Sequence, residues 1–218
     1  MTILHATDLR KHYGTQHRVL NGVSLSIDPG DIHVIYGRSG SGKTTLLNCL
    51  AGVDQPDSGT LTILTTNICE LTDNQRADFR LNNMGILYQF FQLLPALTLF
   101  ENITLPAQLT GRPYHDIAYQ LATEFGIIDY VHRRPDQCSA GQCQRAALCR
   151  ALICQPRLVL ADEPTGNLDT DNRNQALNRF QLLANTHSVG LVLATHDDAF
   201  KSIATHTWHL QDGRLIPE

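Results

Sequence analysis

Hydrophobic residues follow two periods along this chain, and segments of the two kinds alternate. In Val23–Ile27 every second residue is apolar, which is typical of a half-buried strand. Ile32–Tyr36 and Leu158–Ala161 are short and almost continuously apolar, as expected of central strands in a parallel sheet. Between residues 176 and 184 apolar side chains recur three and four positions apart, which indicates an amphipathic helix. Strands that alternate with helices predict an α/β fold with a largely parallel sheet.

The middle of the chain has a mostly helical pattern. Residues 97–155 are predicted to be mainly helical, with breaks at Pro106, Gly111, Gly126 and Pro135. Further strand patterns lie on either side of this segment, at Thr60–Leu64, Leu191–Ala194 and, more weakly, His206–Leu210. The sequence therefore predicts a helical segment inserted into a sheet domain, so that both halves of the chain are needed to complete the sheet.

The composition is that of an ordinary globular protein. Of the 218 residues, 42% are hydrophobic and 17% are charged, which excludes a disordered chain or a small disulfide-stabilised protein. The 17 basic and 21 acidic residues give a net charge of −4, so there is no basic excess for non-specific binding of nucleic acid. No apolar run is long enough to span a bilayer, and residues 1–6 do not resemble a secretory signal. We therefore expect a cytoplasmic location.

Four of the six cysteines fall close together, at positions 138, 143, 149 and 154. On a helix with about 100° per residue, Cys143 and Cys149 point in different directions, and Cys143 and Cys154 lie about three turns apart. That arrangement cannot complete a tetrahedral metal site. We interpret these cysteines as small buried apolar residues. The ten histidines are scattered, and their spacing does not predict a metal site.

The most specific motif follows the apolar strand Ile32–Tyr36. It fits the pattern G-x-x-x-x-G-K-[ST] and consists of Gly37, Arg38, Ser39, Gly40, Ser41, Gly42, Lys43 and Thr44. Glycines allow successive backbone N–H groups to surround a β-phosphate, and the N-terminus of the following helix adds partial positive charge. We expect Lys43 to contact the β- and γ-phosphates and Thr44 to bind Mg²⁺. Thr45 is counted with this phosphate-binding group.

Two adjacent carboxylates end a second apolar strand. Asp162 and Glu163 directly follow Leu158–Ala161. A buried strand that delivers two acids at its end is difficult to explain structurally, because each acid would need its own partner. A functional interpretation separates their roles. Asp162 holds Mg²⁺ through water, and Glu163 is the general base that polarises the attacking water.

With these residues the chain resembles the ATP-binding cassette (ABC) ATPases, over nearly its whole length. Five further segments match the family in order, and they contain Tyr13, Gln89, Cys138–Gln142, Asn167–Asp169 and His196. The resemblance implies a P-loop NTPase (RecA-like) fold, with a parallel-sheet core, an antiparallel β subdomain and an inserted helical subdomain. It implies one domain over residues 1–218, in which about 90–155 form the helical subdomain that carries the signature loop.

The resemblance assigns roles to the matching side chains, with ATP and Mg²⁺ as cofactors. Tyr13 would stack on adenine. Gln89 would sense Mg²⁺ and the attacking water, and His196 would contact the γ-phosphate. The implied catalytic residues are Glu163, His196 and Gln89, and the implied metal ligands are Thr44, Gln89 and Asp162.

Members of the family work as head-to-tail dimers, so each ATP lies between the phosphate loop of one subunit and the signature loop of the other. Ser139 and Gly141 would donate hydrogen bonds to the γ-phosphate across the interface. Gln142 and Asp169 are the further residues expected to contact nucleotide from the opposite subunit. ATP then favours the closed dimer, since only that state makes both sets of contacts. The implied partners are a second ATPase subunit, identical or different, and a separate integral membrane permease subunit at the inner face of the membrane.

Two positions of the signature loop differ from the usual Leu-Ser-Gly-Gly-Gln. Cys138 replaces a leucine, and Ala140 replaces a glycine. If the backbone at position 140 requires a positive φ or a close approach to phosphate, glycine fits better, so we expect Ala140→Gly to raise the ATPase rate. Cys138 stands before the N-terminus of a helix, which predicts a lowered thiol pKa.

Within the family, two regions resemble the branch of the lipoprotein-release and macrolide-export ATPases, which also includes cell-division and peptide-antibiotic-resistance ATPases. They are Tyr88–Pro95, followed by Phe100–Ile103, and Asp162–Asp169. Members of the branch commonly drive a separate membrane subunit. The apolar run Phe90–Phe100 would then be part of a dock for a cytoplasmic helix of that subunit; the alternative is that it forms core between the sheet and the helical segment.

Other functions compete with transport. A regulatory ABC ATPase that transmits motion without transporting a substrate would have the same sequence features, because cargo recognition would lie in the membrane subunit. An ABC protein of DNA repair would need a long insertion before the signature loop, and one of translation would need two cassettes. A GTPase would need an Asn-Lys-x-Asp motif, which this sequence lacks.

Overall fold

The computed structural model describes residues 2–14, 17–166 and 168–218. Its strands are β1 (Leu4–Tyr13), β2 (His17–Ile27), β3 (Ile32–Tyr36), β4 (Ser58–Ile63), β5 (Thr66–Asn67), β6 (Met84–Leu87), β7 (Leu158–Asp162), β8 (Gly190–Ala194), β9 (His206–Gln211) and β10 (Arg214–Pro217). Its helices are α1 (Lys43–Leu50), α2 (Asp73–Asn83), α3 (Leu99–Thr110), α4 (His115–Glu124), α5 (Ala140–Leu152) and α6 (Thr170–His187). Short 3₁₀ turns occur at Ile68–Glu70, Ile128–Tyr130, Pro135–Gln137 and Asp198–Ser202.

The larger sheet has the strand order β10-β9-β3-β8-β7-β6. Five of these strands are parallel, and β10 joins the edge in the antiparallel direction. Both faces are covered, because alternate residues of β7 pack into two different hydrophobic clusters: Val159 and Ala161 into one, Leu158 and Leu160 into the other. Burial on both faces explains the continuous apolar runs in the sequence. The predicted α/β fold with a largely parallel sheet is confirmed.

The second sheet is antiparallel, with the order β2-β1-β4-β5. Its buried residues, such as Leu9 and Leu61, belong to the same hydrophobic cluster as Leu46 of α1. The helix that follows the phosphate loop is therefore packed between the two sheets. This sheet is the antiparallel β subdomain that the resemblance implies.

The chain between β6 and β7 contains α3, α4 and α5, as the predicted helical insertion requires. Ile103 of α3, Ala122 of α4 and Ala147 of α5 are fully buried in one cluster that also includes residues of the parallel sheet. Thr98 and Ser139 start α3 and α5, and each forms a capping box. These helices are thus held on the sheet by packing and have well-defined first turns.

One expected helix break is wrong. Pro106 lies inside α3, which continues to Thr110 and ends at Gly111 with a φ of 67°. The buried residues Ile103 and Ala107 hold α3 against the core. This packing outweighs the single backbone hydrogen bond that a proline removes. Within the described residues, no helix has the length and apolar character needed to cross a bilayer.

The direction of the parallel strands determines where the predicted site residues lie. Gly37 follows β3, Gln89 lies two residues beyond β6, Glu163 follows β7, and His196 lies two residues beyond β8. The carboxyl ends of parallel strands meet at the same edge of a sheet, which is where α/β proteins bind ligands. Four motifs that are far apart in sequence therefore converge at one edge.

Candidate nucleotide-binding site

The loop between β3 and α1 is shaped by its glycines. Gly40 and Gly42 have φ angles of 78° and 102°, in the left-handed region that glycine adopts without strain. A Cβ atom at Gly37 would lie 2.5 Å from Ser41 Oγ and 3.0 Å from the backbone oxygen of Leu210. No larger residue fits there, so the loop can curl tightly at the end of the strand, as a phosphate-binding loop requires.

Lys43 is the first residue of α1 and folds back over this loop. Its Nζ donates hydrogen bonds to the backbone oxygens of Gly37 at 2.8 Å and Arg38 at 3.4 Å. The first turn of α1, all of which the structure describes, carries no acidic side chain, so the partial positive charge of the helix N-terminus is not neutralised. The loop, the ammonium group and the helix end together favour an anion.

A cavity of about 530 Å³ lies in front of the loop. It is lined by residues from several predicted motifs: Tyr13, Gly37, Ser39, Gly40, Gly42, Lys43, Thr44, Thr45, Gln89, Asp162, Glu163 and His196. Arg38 and Ser41 instead line a neighbouring cavity of about 450 Å³ beside His209–Asp212. The backbone N–H of Ser41 donates to the oxygen of Arg38 at 3.1 Å, so it is already used inside the loop.

Asp162 and Thr44 are in direct contact at the floor of the cavity. The Thr44 hydroxyl donates a hydrogen bond to Asp162 Oδ2 at 2.5 Å. Burial raises the pKa of Asp162, and the hydrogen bond from Thr44 opposes this effect. A hydroxyl and a carboxylate oxygen are ligands that a hard divalent cation prefers. These two side chains therefore fit Mg²⁺, and Gln89 lines the same cavity.

Glu163 is held in one orientation by its neighbours. Its backbone has a φ of 48°, which is uncommon for a residue with a side chain, and its N–H donates to the oxygen of Ala194 at 2.8 Å. Its Oε2 accepts a hydrogen bond from the Thr195 hydroxyl at 3.1 Å and lies 2.9 Å from Nδ1 of His196. The strand end thus places the carboxylate beside the imidazole, in the same cavity as Lys43.

The signature loop leads directly into α5, which begins with a regular N-cap. Ser139 is the N-cap of α5, and its Oγ accepts a hydrogen bond from the N–H of Gln142 at 3.2 Å. Ala140 is the first helical residue and is not among the residues with positive φ. The premise that position 140 requires glycine for a positive φ is therefore wrong. Burial raises the pKa of the Cys138 thiol, so the expected lowering of that pKa is also wrong.

The segment expected to contact the opposite subunit lies at the start of α6. Asn167 is outside the described residues. Asp169 is the N-cap of α6, where its Oδ1 accepts a hydrogen bond from the N–H of Asn172 at 2.8 Å. This backbone hydrogen bond lowers the pKa of Asp169. Ser139, Gly141, Gln142 and Asp169 do not line the phosphate-loop cavity of their own chain, as far as the described residues show.

Sequence reasoning assigned no role to two residues near Glu163. Thr195 orients the Glu163 carboxylate, but a threonine after a strand has no chemical signature of its own. Gln144 donates a hydrogen bond from Nε2 to the backbone oxygen of Pro164. Gln144 is a polar residue among the buried residues of α5, such as Cys143 and Ala146. A polar side chain at such a position indicates a buried hydrogen-bond partner and could have identified Gln144.

Asp31, His33 and His206 are the one group among the described residues whose metal-ligand atoms all lie within 4.8 Å of one another. Sequence spacing missed it, because the two histidines meet only through the pairing of β3 with β9. Trp208 Nε1 donates to His33 Nδ1 at 3.0 Å, so the proton of the neutral ring is on Nε2, 3.6 Å from Asp31 Oδ2. Burial lowers the pKa of His33 to about 4. A protonated Nε2 offers no lone pair to a metal, so we do not interpret this group as a metal centre.

Together the fold and the site define a P-loop nucleotide hydrolase, and comparisons with known proteins give its family. The sequence profile described as ABC transporter matches residues 20–166. An uncharacterised ABC transporter ATP-binding protein of Mycobacterium tuberculosis is 41% identical, covering 93% of this chain and 83% of its own length. The lipoprotein-releasing system ATP-binding protein LolD of Leptospira interrogans is 37% identical, covering 98% and 90%. The bacitracin export ATP-binding protein BceA of Halalkalibacterium halodurans is 37% identical, covering 100% and 88%.

A solved structure agrees over nearly the full length. The ATP-binding cassette MJ0796, in a dimeric post-hydrolysis state bound to ADP and Pi, matches with a TM-score of 0.93 and 29% identity, covering 99% of this chain and 97% of its own. The chain belongs to the ABC transporter family. It is an ATP-binding subunit that hydrolyses ATP with Mg²⁺, pairs with another ATPase subunit and powers a separate membrane subunit. The resemblance, the fold and the ATPase activity expected from the sequence are confirmed.

Proposed function

We propose that residues 1–218 act as one ABC ATPase domain and that the 530 Å³ cavity is its ATP site. The observation that carries this proposal is that Lys43, Asp162 and Glu163 line one cavity at the carboxyl edge of the parallel sheet. The segment at about 90–155 is the helical subdomain, and it presents the signature loop to the opposite subunit.

The phosphate end of the site is built by the loop. The backbone N–H groups of Gly37–Thr44 other than that of Ser41, which is bonded inside the loop, and the Lys43 ammonium bind the phosphates. To do so, Lys43 gives up its hydrogen bonds to the backbone oxygens of Gly37 and Arg38. Tyr13 stacks on adenine. Thr44, Asp162 and Gln89 would hold Mg²⁺, which when bound neutralises charge on the β- and γ-phosphates.

Glu163 takes the proton of the attacking water as general base. Thr195 and His196 fix its Oε2 before substrate binds, so no reorientation is needed during the reaction. The His196 side chain is 76% exposed, which leaves the imidazole able to contact the γ-phosphate while it touches Glu163.

Ser139 and Gly141 serve the site of the opposite subunit. They stand at the start of α5, where the helix dipole favours a phosphate. The capping box uses the N–H groups of Ser139 and Gln142 but not that of Gly141. The Ser139 Oγ accepts the Gln142 N–H, so its own proton can be donated to the γ-phosphate. Gln142 and Asp169 contribute at the same interface. Closure of the dimer on ATP, and its opening after hydrolysis, is the motion delivered to the membrane subunit.

The loop after Gln89 is the proposed dock for that subunit. Phe90 is 81% exposed and Leu94 is 46% exposed, whereas Leu99 is fully buried, so the run Phe90–Phe100 divides between surface and core. Arg150 of α5 donates hydrogen bonds of 2.6 Å to the backbone oxygens of Phe91 and Gln92. A cytoplasmic helix bound here would therefore be connected to α5, the helix that follows the signature loop, and would hold the chain at the inner face of the membrane.

The test compares the purified protein with Glu163→Gln. The wild type is expected to hydrolyse ATP, and Glu163→Gln to bind ATP, lose turnover by at least about a hundredfold and elute as a dimer in ATP on size-exclusion chromatography. Glu70→Gln, an exposed glutamate outside the cavity, is the control and should behave as wild type. Full turnover in Glu163→Gln would contradict the proposed general base.

A further inference from the structure

The end of β1 is fastened to the loop that follows α1. The N–H of Asp57 donates to the backbone oxygen of Arg10 at 2.8 Å, and the N–H of His12 donates to Asp57 Oδ2 at 2.7 Å. The N–H of Asp54 donates to the oxygen of Asn48 at 3.2 Å, which ties the loop back to α1. The strand that carries Tyr13 and the helix that begins with Lys43 are therefore joined through residues 54–57.

Asp54, in this loop, contacts the side chain of Tyr13 directly. The Tyr13 hydroxyl donates a hydrogen bond to Asp54 Oδ2 at 2.5 Å. Lys11 Nζ donates to Asp54 Oδ1 at 2.7 Å and to the backbone oxygen of Gln55 at 2.6 Å, and it lies 5.4 Å from the centroid of the Tyr13 ring. Each carboxylate oxygen of Asp54 thus has a separate donor.

The electrostatics keep this arrangement in place. Burial opposes ionisation of Asp54, but the hydrogen bonds from Lys11 and Tyr13 outweigh it and lower the pKa of the carboxyl group. The Tyr13 hydroxyl bond to Asp54 and burial raise the pKa of Tyr13. Asp54 is therefore ionised and Tyr13 is protonated at neutral pH, which is the combination that this short hydrogen bond needs.

We propose that Asp54 is a positioning residue that holds the Tyr13 ring in place as the platform for the adenine base. This inference rests on the proposed role of Tyr13. Tyr13 is 47% exposed and lines the same cavity as Lys43, and its hydroxyl is held by Asp54. A ring that is already oriented loses less conformational freedom when the base stacks on it, and this preorganisation strengthens binding. Without Asp54 the ring is held less tightly, and the base end of the nucleotide loses affinity while the phosphate end does not.

The experiment separates the two ends of the nucleotide by comparing Mg-ADP with Mg-pyrophosphate, which lacks the base. ADP affinity is measured by calorimetry, and pyrophosphate affinity by its displacement of ADP. Asp54→Ala and Tyr13→Phe are each expected to weaken ADP binding about fivefold, as for the cost of ordering one side chain on binding, and to leave pyrophosphate binding unchanged. The double variant should be no weaker than either single variant, because both remove the same contact. Asp54→Asn keeps an acceptor oxygen and should lie between wild type and Asp54→Ala.

The control is Asp8→Asn. It removes a carboxylate from β1, the strand that also carries Tyr13, where Asp8 pairs with Arg10. This variant should bind both ligands as the wild type does. Equal weakening of ADP and pyrophosphate by Asp54→Ala, unchanged ADP affinity, or additive effects of the two substitutions would each overturn the positioning role. Tyr13→Ala tests the underlying assignment separately. If Tyr13→Ala binds ADP as tightly as wild type, the adenine platform itself is wrong; if it weakens ADP and Asp54→Ala does not, only the role of Asp54 fails.

Discussion

The side chain of Gln144 joins the signature helix to the residue after Glu163, by a hydrogen bond from its Nε2 to the backbone oxygen of Pro164. Both residues are buried. The next residue, Arg145, donates to Asn172 in the first turn of α6. The helix that starts at the signature loop is therefore bound both to the residue after the proposed general base and to the first turn of α6.

Gln144→Met should destabilise the protein and slow hydrolysis. The substitution keeps the side-chain volume but leaves the buried oxygen of Pro164 without a donor, which costs about 1–3 kcal/mol of unfolding free energy. Removal of Gln144 Oε1, which is buried and has no partner among the described residues, offsets part of this cost. Urea denaturation measures the first effect and steady-state ATPase the second. Gln120→Met, on the exposed side of α4, should change neither quantity. A Gln144→Met variant with wild-type stability and turnover would show that this hydrogen bond transmits nothing.

Thr195→Val should lower turnover without weakening nucleotide binding. Valine has the shape of threonine but cannot donate the 3.1 Å hydrogen bond to Glu163 Oε2, so the carboxylate is less well oriented toward water. We expect kcat to fall about tenfold, as for loss of one contact made to a catalytic group, with KM for ATP unchanged. Thr123→Val on α4, whose hydroxyl donates a hydrogen bond to the backbone oxygen of Tyr119, is the control. A change in KM alone would exclude a role in orientation.

The phosphate loop and the carboxylates could be predicted because their signals are local. Each consists of an apolar strand and a few residues directly after it, and the parallel direction of the strands then brings Gly37 and Glu163 to one edge. The contacts of Thr195 and Gln144 were not predictable in this way. They join residues brought together by the pairing of β7 with β8 and by the packing of α5. The spacing of residues along the sequence predicts neither of these contacts.

Two errors have the same origin. Pro106 was expected to end a helix from its local chemistry, but burial of Ile103 and Ala107 decides the matter. Cys138 was expected to have a lowered pKa from its place before a helix, but burial has the larger effect and raises it. In both cases tertiary packing overrides a local preference that the sequence shows correctly.

Asp162→Asn should stabilise the nucleotide-free protein while abolishing Mg²⁺-dependent hydrolysis. Burial raises the pKa of Asp162 in the folded state, so the folded protein binds this proton more tightly than the unfolded chain, and ionisation at higher pH costs folding free energy. Asparagine removes that cost and can still accept the Thr44 hydrogen bond. The urea midpoint of the variant should exceed that of wild type at pH 7, and the gain should vanish below about pH 4, where the unfolded carboxyl is also protonated. Asp78→Asn, on the exposed face of α2, should show no gain, and a lower midpoint for Asp162→Asn at pH 7 would contradict the argument.

Leu94→Glu tests the proposed dock. The backbone of Leu94 is fixed by Asn102, whose Oδ1 accepts its N–H at 2.7 Å and whose Nδ2 donates to its oxygen at 3.1 Å, while the side chain is 46% exposed. A charge there should leave folding and ATPase of the isolated subunit unchanged, but weaken its association with membranes that contain the permease. Flotation with such membranes measures the association. Leu109→Glu, at a more exposed leucine on α3 (69%), should bind normally. Insoluble Leu94→Glu protein would instead assign Leu94 to the core.

Ala140→Gly should not raise the ATPase rate. Ala140 is the first residue of α5 and has no positive φ, so glycine relieves no strain there. Glycine is up to about 1 kcal/mol less favourable than alanine in a helix, and a less ordered first turn would present Ser139 less precisely to the opposite subunit. We therefore expect a slightly lower urea midpoint and an ATPase rate equal to or below that of wild type. Ala140→Ser keeps a Cβ atom at this position and restricts the backbone more than glycine does. If a lower rate in Ala140→Gly comes from a less ordered first turn, Ala140→Ser should retain the wild-type rate. A faster Ala140→Gly enzyme would show that the Cβ atom hinders closure of the dimer against the nucleotide.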